Sequence, residues 1–366
     1  MPAYLLYWQL NNTKHMNNNY RKRLGLLLLA ALGVIYLQVI IGGITRLTGS
    51  GLSITEWKVV TGTLPPFTQT HWQTEFEKYR QTPQYHKLNK DMTLPEFKNI
   101  YFWEWLHRLW GRIGFLFMLG VFGFMLLKKQ LSKESVRHLL IFLFLYLCQG
   151  LLGWIMVKSG LVDMPWVSHY RLTAHLLLAI VLFSYTLWFV ADLLVPKEQL
   201  VYNPSLQKFT WVLTALLVIQ IAFGGFMSGL RAAMFYPSFP TYNGEWIPTN
   251  IWVMKPFLLN FTENVATIQF THRSLAYLLF VLIWLYWYKA RKQPTQNRAF
   301  TRVVQLLPVL LLLQFGLGIT VLLLSRTGIP VGFGVAHQAV GLLLLSCMLF
   351  LAFQFNPSGS NRAATS

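Results

Sequence analysis

The sequence predicts an all-α membrane protein: eight transmembrane helices arranged as two pseudo-symmetric tandem four-helix bundles. Three observations predict it. The chain of 366 residues is 54% hydrophobic and only 12% charged, a composition of polytopic membrane proteins rather than of soluble enzymes. Apolar runs of the length needed to cross a bilayer recur eight times. Finally, the few polar residues inside those runs repeat at fixed intervals along the chain.

The eight runs cover roughly 24–44, 102–127, 138–157, 172–195, 209–229, 267–288, 303–324 and 333–355. Before the first lies an Asn-rich polar stretch that ends in Arg21, Lys22 and Arg23. It reads as a cytoplasmic flank, because it lacks the short apolar core and cleavage site of a signal peptide and the Arg/Ser bias of a transit peptide. A bacterial inner membrane is therefore expected. The net charge of +19 would suggest nucleic acid for a soluble protein. Here the basic residues cluster in alternate loops, for instance Lys128, Lys129, Lys133 and Arg137, or Lys289, Arg291, Lys292, Arg298 and Arg302. The short loops on the opposite side hold few. Positive-inside bias then accounts for the charge without nucleic acid and puts both termini in the cytoplasm.

The long outer loop, 45–100, mixes basic residues with Glu56, Glu75, Glu77, Asp91 and Glu96, and carries Trp57, Trp72, Phe76, Tyr79 and Tyr85. Long loops cross regardless of charge, and aromatic content of this kind predicts an ordered cap rather than a linker. The loop 230–266, with Tyr236, Trp246 and Trp252, predicts a second cap on the same side. The two cysteines, Cys148 and Cys347, lie inside apolar runs and form no CxxC motif; as small core residues they leave histidine to hold any metal.

The repeat is the strongest organising feature. Odd-numbered runs carry Gln-x-x-x-Gly at Gln38/Gly42, Gln149/Gly153, Gln220/Gly224 and Gln314/Gly318. Even-numbered runs each carry a histidine near the outer end: His107, His175, His272 and His337. His107 to His272 and Gln149 to Gln314 are both 165 residues, and His175 to His337 is 162. The chain reads as a duplicated four-helix unit, with an N-terminal bundle in 1–200 and a C-terminal bundle in 201–366.

Each histidine is followed four residues on by Gly or Ala (Gly111, Ala179, Ala276, Gly341). On a helix these lie on one face, and a small residue below an imidazole leaves space for a flat ligand. Intramembrane ionisable groups are functional by default, and bis-imidazole ligation of haem inside a bundle suits this pattern. Gly and Ala are also common in membrane helices for packing alone. The Gln-x-x-x-Gly helices would add close packing and hydrogen bonds to the ligand edge or the histidines. Arg108, Arg112, Arg171 and Arg273 are placed to meet propionates. His15, His71, His86, His138 and His169 read as surface or loop residues. The halves differ at one point, since Glu104 precedes His107 by three residues where Gln269 precedes His272. That asymmetry suggests one catalytic pocket and one that holds or relays electrons.

The segments GGITRLTGSGLSITEWK (42–58), TLPP (63–66), EFK (96–98), EWLHRLWGR (104–112), RLTAH (171–175), QFTHR (269–273) and GVAHQAVG (334–341) closely resemble the haem A synthase family, over essentially all eight runs. The lack of cysteine pairs in the outer loops resembles its mitochondrial-like branch. The resemblance implies oxidation of the C8 methyl group of haem o to a formyl group, making haem a for terminal oxidases. It also implies a haem b in the C-terminal half held by His272 and His337, a substrate haem held by His107 and His175, and Glu104 as catalytic carboxylate. Implied partners are haem o synthase, oxidase assembly factors, an electron donor, the lipid membrane and a second copy of the chain. A non-catalytic di-haem b cytochrome and a haem transporter or chaperone are the alternatives.

Overall fold

The computed structural model describes residues 18–57, 61–160 and 165–355. The polar leader with His15 lies outside these. Ten α-helices of six residues or more occur among the described residues. They are α1 (Asn18–Leu47), α2 (Gln69–Arg80), α3 (Pro83–Leu88), α4 (Leu94–Leu127) and α5 (Lys133–Gly160), then α6 (His169–Leu194), α7 (Pro204–Gly229), α8 (Val265–Ala290), α9 (Arg298–Leu324) and α10 (Val331–Gln354). All but α2 and α3 are long and apolar enough to cross a membrane, which makes eight. They match the eight apolar runs, which end one residue past the helix at 195 and 355, and extend all of them at the N-terminal side, in several cases because a polar residue there forms a cap. The clearest case is α4, which begins at Leu94 rather than 102. Thr93 and Glu96 form a capping box there, with Pro95 in the first turn.

α1, α4, α5 and α6 pack in a ring in that order, and so do α7, α8, α9 and α10. The two rings join through α6 on α7 and α10 on both α1 and α6. α6 and α10 are thus the innermost helices: half of each apolar window is buried inside the protein, against 11% for α5. Lipid offers no hydrophobic drive between spans, so their contact rests on dispersion, small residues and hydrogen bonds. Two adjacent glycine pairs show how. Gly43 lies against the side chain of Gln338, and Gly225 against Thr173, each so close that a Cβ would collide. Gln338 Nε2 then donates to the Val39 carbonyl at 2.7 Å, and the Tyr36 hydroxyl to that of Ala339 at 3.1 Å. Between the rings the chain runs from Leu194 to Pro204 with only a 3₁₀ turn, Lys197–Gln199.

The long loops after α1 and α7 cover the same end of the protein, because Arg46 at the end of α1 reaches the last carbonyls of α7, Ser228 at 2.6 Å and Gly229 at 3.0 Å. We refer to it as the cap end. In the first cap α2 and α3 enclose a small core of Phe76, Tyr79, Tyr85, Phe97, Ile100 and Tyr101. Burial pushes the Tyr79 hydroxyl up to about 12, so it serves as a neutral donor to Gln84 at 3.0 Å. Gln84 in turn donates to the Gly49 carbonyl, tying the cap to the end of α1. The second cap has only short 3₁₀ turns, Ala232–Met234 and Phe257–Phe261. Asn260 and Asn264 hold it by hydrogen bonds to the backbone at Met254, Phe257 and Asn250.

Candidate functional site

Within each ring the polar residues occupy opposite corners. His107 on α4 and His175 on α6 stand on one diagonal of the first ring, with Gln38 on α1 and Gln149 on α5 on the other. The second ring repeats this with His272 on α8 and His337 on α10 against Gln220 on α7 and Gln314 on α9. Each glutamine reaches the histidine of a neighbouring helix. Gln38 Nε2 lies 3.0 Å from His107 Nδ1, and Gln149, Gln220 and Gln314 lie 3.2, 3.3 and 3.3 Å from the Nε2 atoms of His175, His272 and His337. Three of these amides also donate to the carbonyl of the same histidine. The glycine four residues past each glutamine completes the unit. A Cβ on Gly42, Gly153 or Gly318 would stand 3.0 Å from the imidazole Cε1, and on Gly224 3.6 Å.

The small residue four past each histidine, expected to make room for a flat ligand, lines a cavity in all four cases: Gly111, Ala179, Ala276 and Gly341. At Gly111 and Gly341 the glutamine amide of the adjacent helix is also close, 3.6 Å from a Cβ at Gly111 and 3.2 Å at Gly341. This single cavity, of about 1320 Å³, is also lined by all four histidines, all four glutamines, Glu104, Arg108, Gln269 and Arg273. It exceeds the roughly 300–1,000 Å³ of an ordinary small-molecule pocket. Of the remaining histidines, His71, His86, His138 and His169 do not line it. His138 bonds to the Tyr185 hydroxyl, and His169, expected in a loop, opens α6 beside Glu263.

The donor set fits haem iron. The two imidazoles of each ring line the same cavity, His107 with His175 and His272 with His337. His337 Nδ1 can donate to the Gln314 carbonyl at 3.1 Å, which leaves Nε2 with the lone pair a metal needs. Nδ1 of His175 and His272, and Oε1 of all four glutamines, are buried without a hydrogen-bond partner. Buried polar atoms left unpaired are rare in native proteins and call for a ligand, an ion or water. A metal at Nε2 would take the lone pair that now accepts from the amide, so the glutamine would turn aside on binding.

Glu104 is buried, with 2% of its surface exposed. One oxygen accepts from Arg108 at 2.6 Å, and the other from the Ser53 hydroxyl at 2.7 Å and the Ile54 amide at 2.8 Å. All three partners are donors, as an ionised carboxylate requires. Glu104 and Arg108, one helical turn apart, thus form an ion pair that is a buried clamp on the loop rather than a weak surface pair. Arg108 adds bonds to the carbonyls of Ile54 at 3.0 Å and Glu56 at 3.1 Å. In the second ring Gln269 donates to the Tyr236 carbonyl at 3.0 Å, and Arg273 to those of Ser238, Pro240 and Thr241. The residue three before and the residue one after each of these two histidines thus fasten the cap loop over the cavity. The structure places the guanidinium groups of Arg108 and Arg273, expected at propionates, on loop backbone, and that of Arg171 on the Ile155 carbonyl at 3.2 Å. Arg46 and Arg231, which the sequence reading passed over, line the cavity. A lone arginine closing the first apolar run was the available signal for Arg46.

The COX15-CtaA family model, described as cytochrome oxidase assembly protein, matches residues 25–349 and so every spanning helix. This chain belongs to the COX15-CtaA family. Among members of the family that bear the name Heme A synthase, it is 42% identical over 342 residues to one from Nitrosomonas eutropha, covering 92% of this chain and 94% of that protein. It is 41% identical over 334 residues to another from Nitrosospira multiformis, covering 90% and 93%. A third, from Flavobacterium psychrophilum, is 39% identical over 345 residues, covering 93% of this chain and all of that protein.

Proposed function

We propose that this protein is a haem A synthase, a multi-pass membrane oxidoreductase that converts the C8 methyl group of haem o to the formyl group of haem a for terminal oxidases. The observation that carries the reading is the paired constellation of half-buried histidines on the diagonals of two helix rings, lining one large cavity in a chain of this family. The ring of α1 and α4–α6, within residues 1–200, is the substrate half, where His107 and His175 hold haem o. The ring of α7–α10, within 201–366, holds a haem b on His272 and His337. Such a haem supplies reversible one-electron chemistry when bound. Gln38, Gln149 and Gln220 fasten the helix turns that carry the histidines, through bonds to their carbonyls, and the caps exclude water from the cavity's open end. Glu104 brings a negative charge to the wall beside His107, where it can stabilise positive charge developing during oxidation of the methyl carbon. The cap end faces outward from a bacterial inner membrane. Haem o synthase, oxidase assembly factors, an electron donor and a second copy of the chain are the partners this role calls for.

Co-expression with a source of haem o, followed by extraction and chromatography of the haems, tests the proposal. Haem a or its hydroxylated precursor is expected; recovery of haem o alone from a well-expressed, haem-loaded protein would refute it. The near equivalence of the two histidine–glutamine sets favours a second reading, a non-catalytic di-haem b cytochrome. The same extraction separates the two, since the cytochrome returns only haem b.

A further inference from the structure

Three of the arginines expected at carboxylates, Arg108, Arg171 and Arg273, are occupied elsewhere, and a further pair is available where the rings meet. Arg46 closes α1 at the cap end. Its Nη2 donates to the Ser228 and Gly229 carbonyls at the end of α7, a favourable seat for a cation because a helix C-terminus carries partial negative charge. That accounts for one nitrogen. Its Nε is buried in the protein and has no hydrogen-bond partner. Arg231 stands two residues past the end of α7, with a left-handed backbone at φ 52° that residues other than glycine seldom adopt. The carbonyls that hold Arg46 belong to Ser228 and Gly229, two and three residues before Arg231, and both side chains line the cavity.

Neither is ion-paired to a carboxylate among the described residues, and the acid in the same wall, Glu104, is committed to Arg108. Two like charges beside a largely apolar cavity repel each other, and α7's carbonyls offset only part of that cost. A bound anion relieves it. We infer that Arg46 and Arg231 form a carboxylate-binding site at the junction of the two rings, which takes a propionate of a porphyrin lodged in the cavity. The inference rests on the haem reading above. A guanidinium pair suits a two-oxygen, planar anion, and two cations able to share one carboxylate would fix which edge of the porphyrin points to the cap end.

The test compares binding of iron protoporphyrin IX with that of its dimethyl ester, which keeps the ring and iron but has no carboxylate. Detergent-solubilised protein from haem-limited cells is titrated with each and followed by the Soret and bis-imidazole visible bands. The wild type should bind the free acid roughly tenfold or more tighter than the ester, as expected for a charge-assisted hydrogen bond. Arg231→Gln, in a loop, should bring the ratio near one while keeping the bis-imidazole bands of bound haem. Arg46→Lys keeps a charge at the α7 terminus and should leave an intermediate ratio. Equal affinities in the wild type, or a full preference retained in Arg231→Gln, would overturn the site. Repeating the titration with anionic phospholipid added should leave the wild-type preference intact; its loss would assign the arginines to a lipid phosphate instead. If neither porphyrin gives bis-imidazole bands, the haem reading fails first and the propionate site with it.

Discussion

The two cap loops are fastened to the bundle at matching positions by different chemistry. In the first ring the clamp is a buried ion pair, Glu104 with Arg108 at 2.6 Å, whose remaining bonds grip residues 53–56. In the second, Gln269 replaces the acid, and Arg273 is left with carbonyls and the faces of Tyr242 at 3.9 Å and Phe239 at 5.7 Å. A neutral amide and aromatic faces therefore suffice to hold a loop over a histidine. The carboxylate in the first ring is not demanded by fastening alone, and this is the structural argument for giving it a chemical role.

The largest effects should come from the ligands themselves. His272→Ala or His337→Ala should remove the resident low-spin b-type spectrum from the purified protein, whereas His107→Ala and His175→Ala should spare most of it and abolish haem a formation. The opposite pattern would exchange the roles of the rings, and unchanged spectra in all four variants would end the assignment.

Next come Glu104 and its counterpart Gln269. Glu104→Leu leaves Arg108 buried without its counter-charge, for which about 3–5 kcal/mol is expected. Gln269→Leu leaves a carbonyl unpaired at about 1–3 kcal/mol. Proteolysis of each loop in the folded protein, followed against denaturant, would rank them; equal susceptibility would mean the ion pair adds nothing over the amide. Glu104→Gln makes the first clamp resemble the second. Its haem b content should stay normal while haem o or the hydroxylated intermediate accumulates. Wild-type haem a yield in that variant would reduce Glu104 to a fastener.

Smaller losses are expected from Arg108→Lys and Arg273→Lys, which keep the charge but lose the fork. The change at Arg273 should loosen its loop more, by about 1–3 kcal/mol, since it has no acid to hold a lysine in place. Amide hydrogen exchange at 53–56 and 236–241 would report both, and faster exchange only in the Arg108 variant would contradict the comparison. The smallest effect separates the glycines. Gly318→Ala puts a methyl 3.0 Å from the His337 ring and should shift the electron paramagnetic resonance of the bound haem; Gly224→Ala, with 3.6 Å available at His272, should not. Equal shifts would mean that the imidazole positions are set by something other than these contacts.

Much of this protein could be read before its structure. Apolar runs define spans because each backbone polar group in lipid must be satisfied within its own helix, so all eight are legible, with differences only at their ends, the largest at the capped start Leu94. The histidines and glutamines were also legible, because a polar residue kept at matching places in two halves stands out against Leu and Phe. Helical periodicity tells which residues share a face, yet not which neighbour that face meets. Only the packing of α1 on α4, and of α9 on α10, decided that Gly111 and Gly341 share their edge of the cavity with the amides of Gln38 and Gln314. The same holds for charge. In sequence Arg108 and Arg273 stand next to their histidines, and Arg46 and Arg231 are separated by 185 residues. Folding turns the first two onto loop carbonyls and brings the other two to one cavity wall, because hydrogen-bond partners are chosen by distance through space and not along the chain.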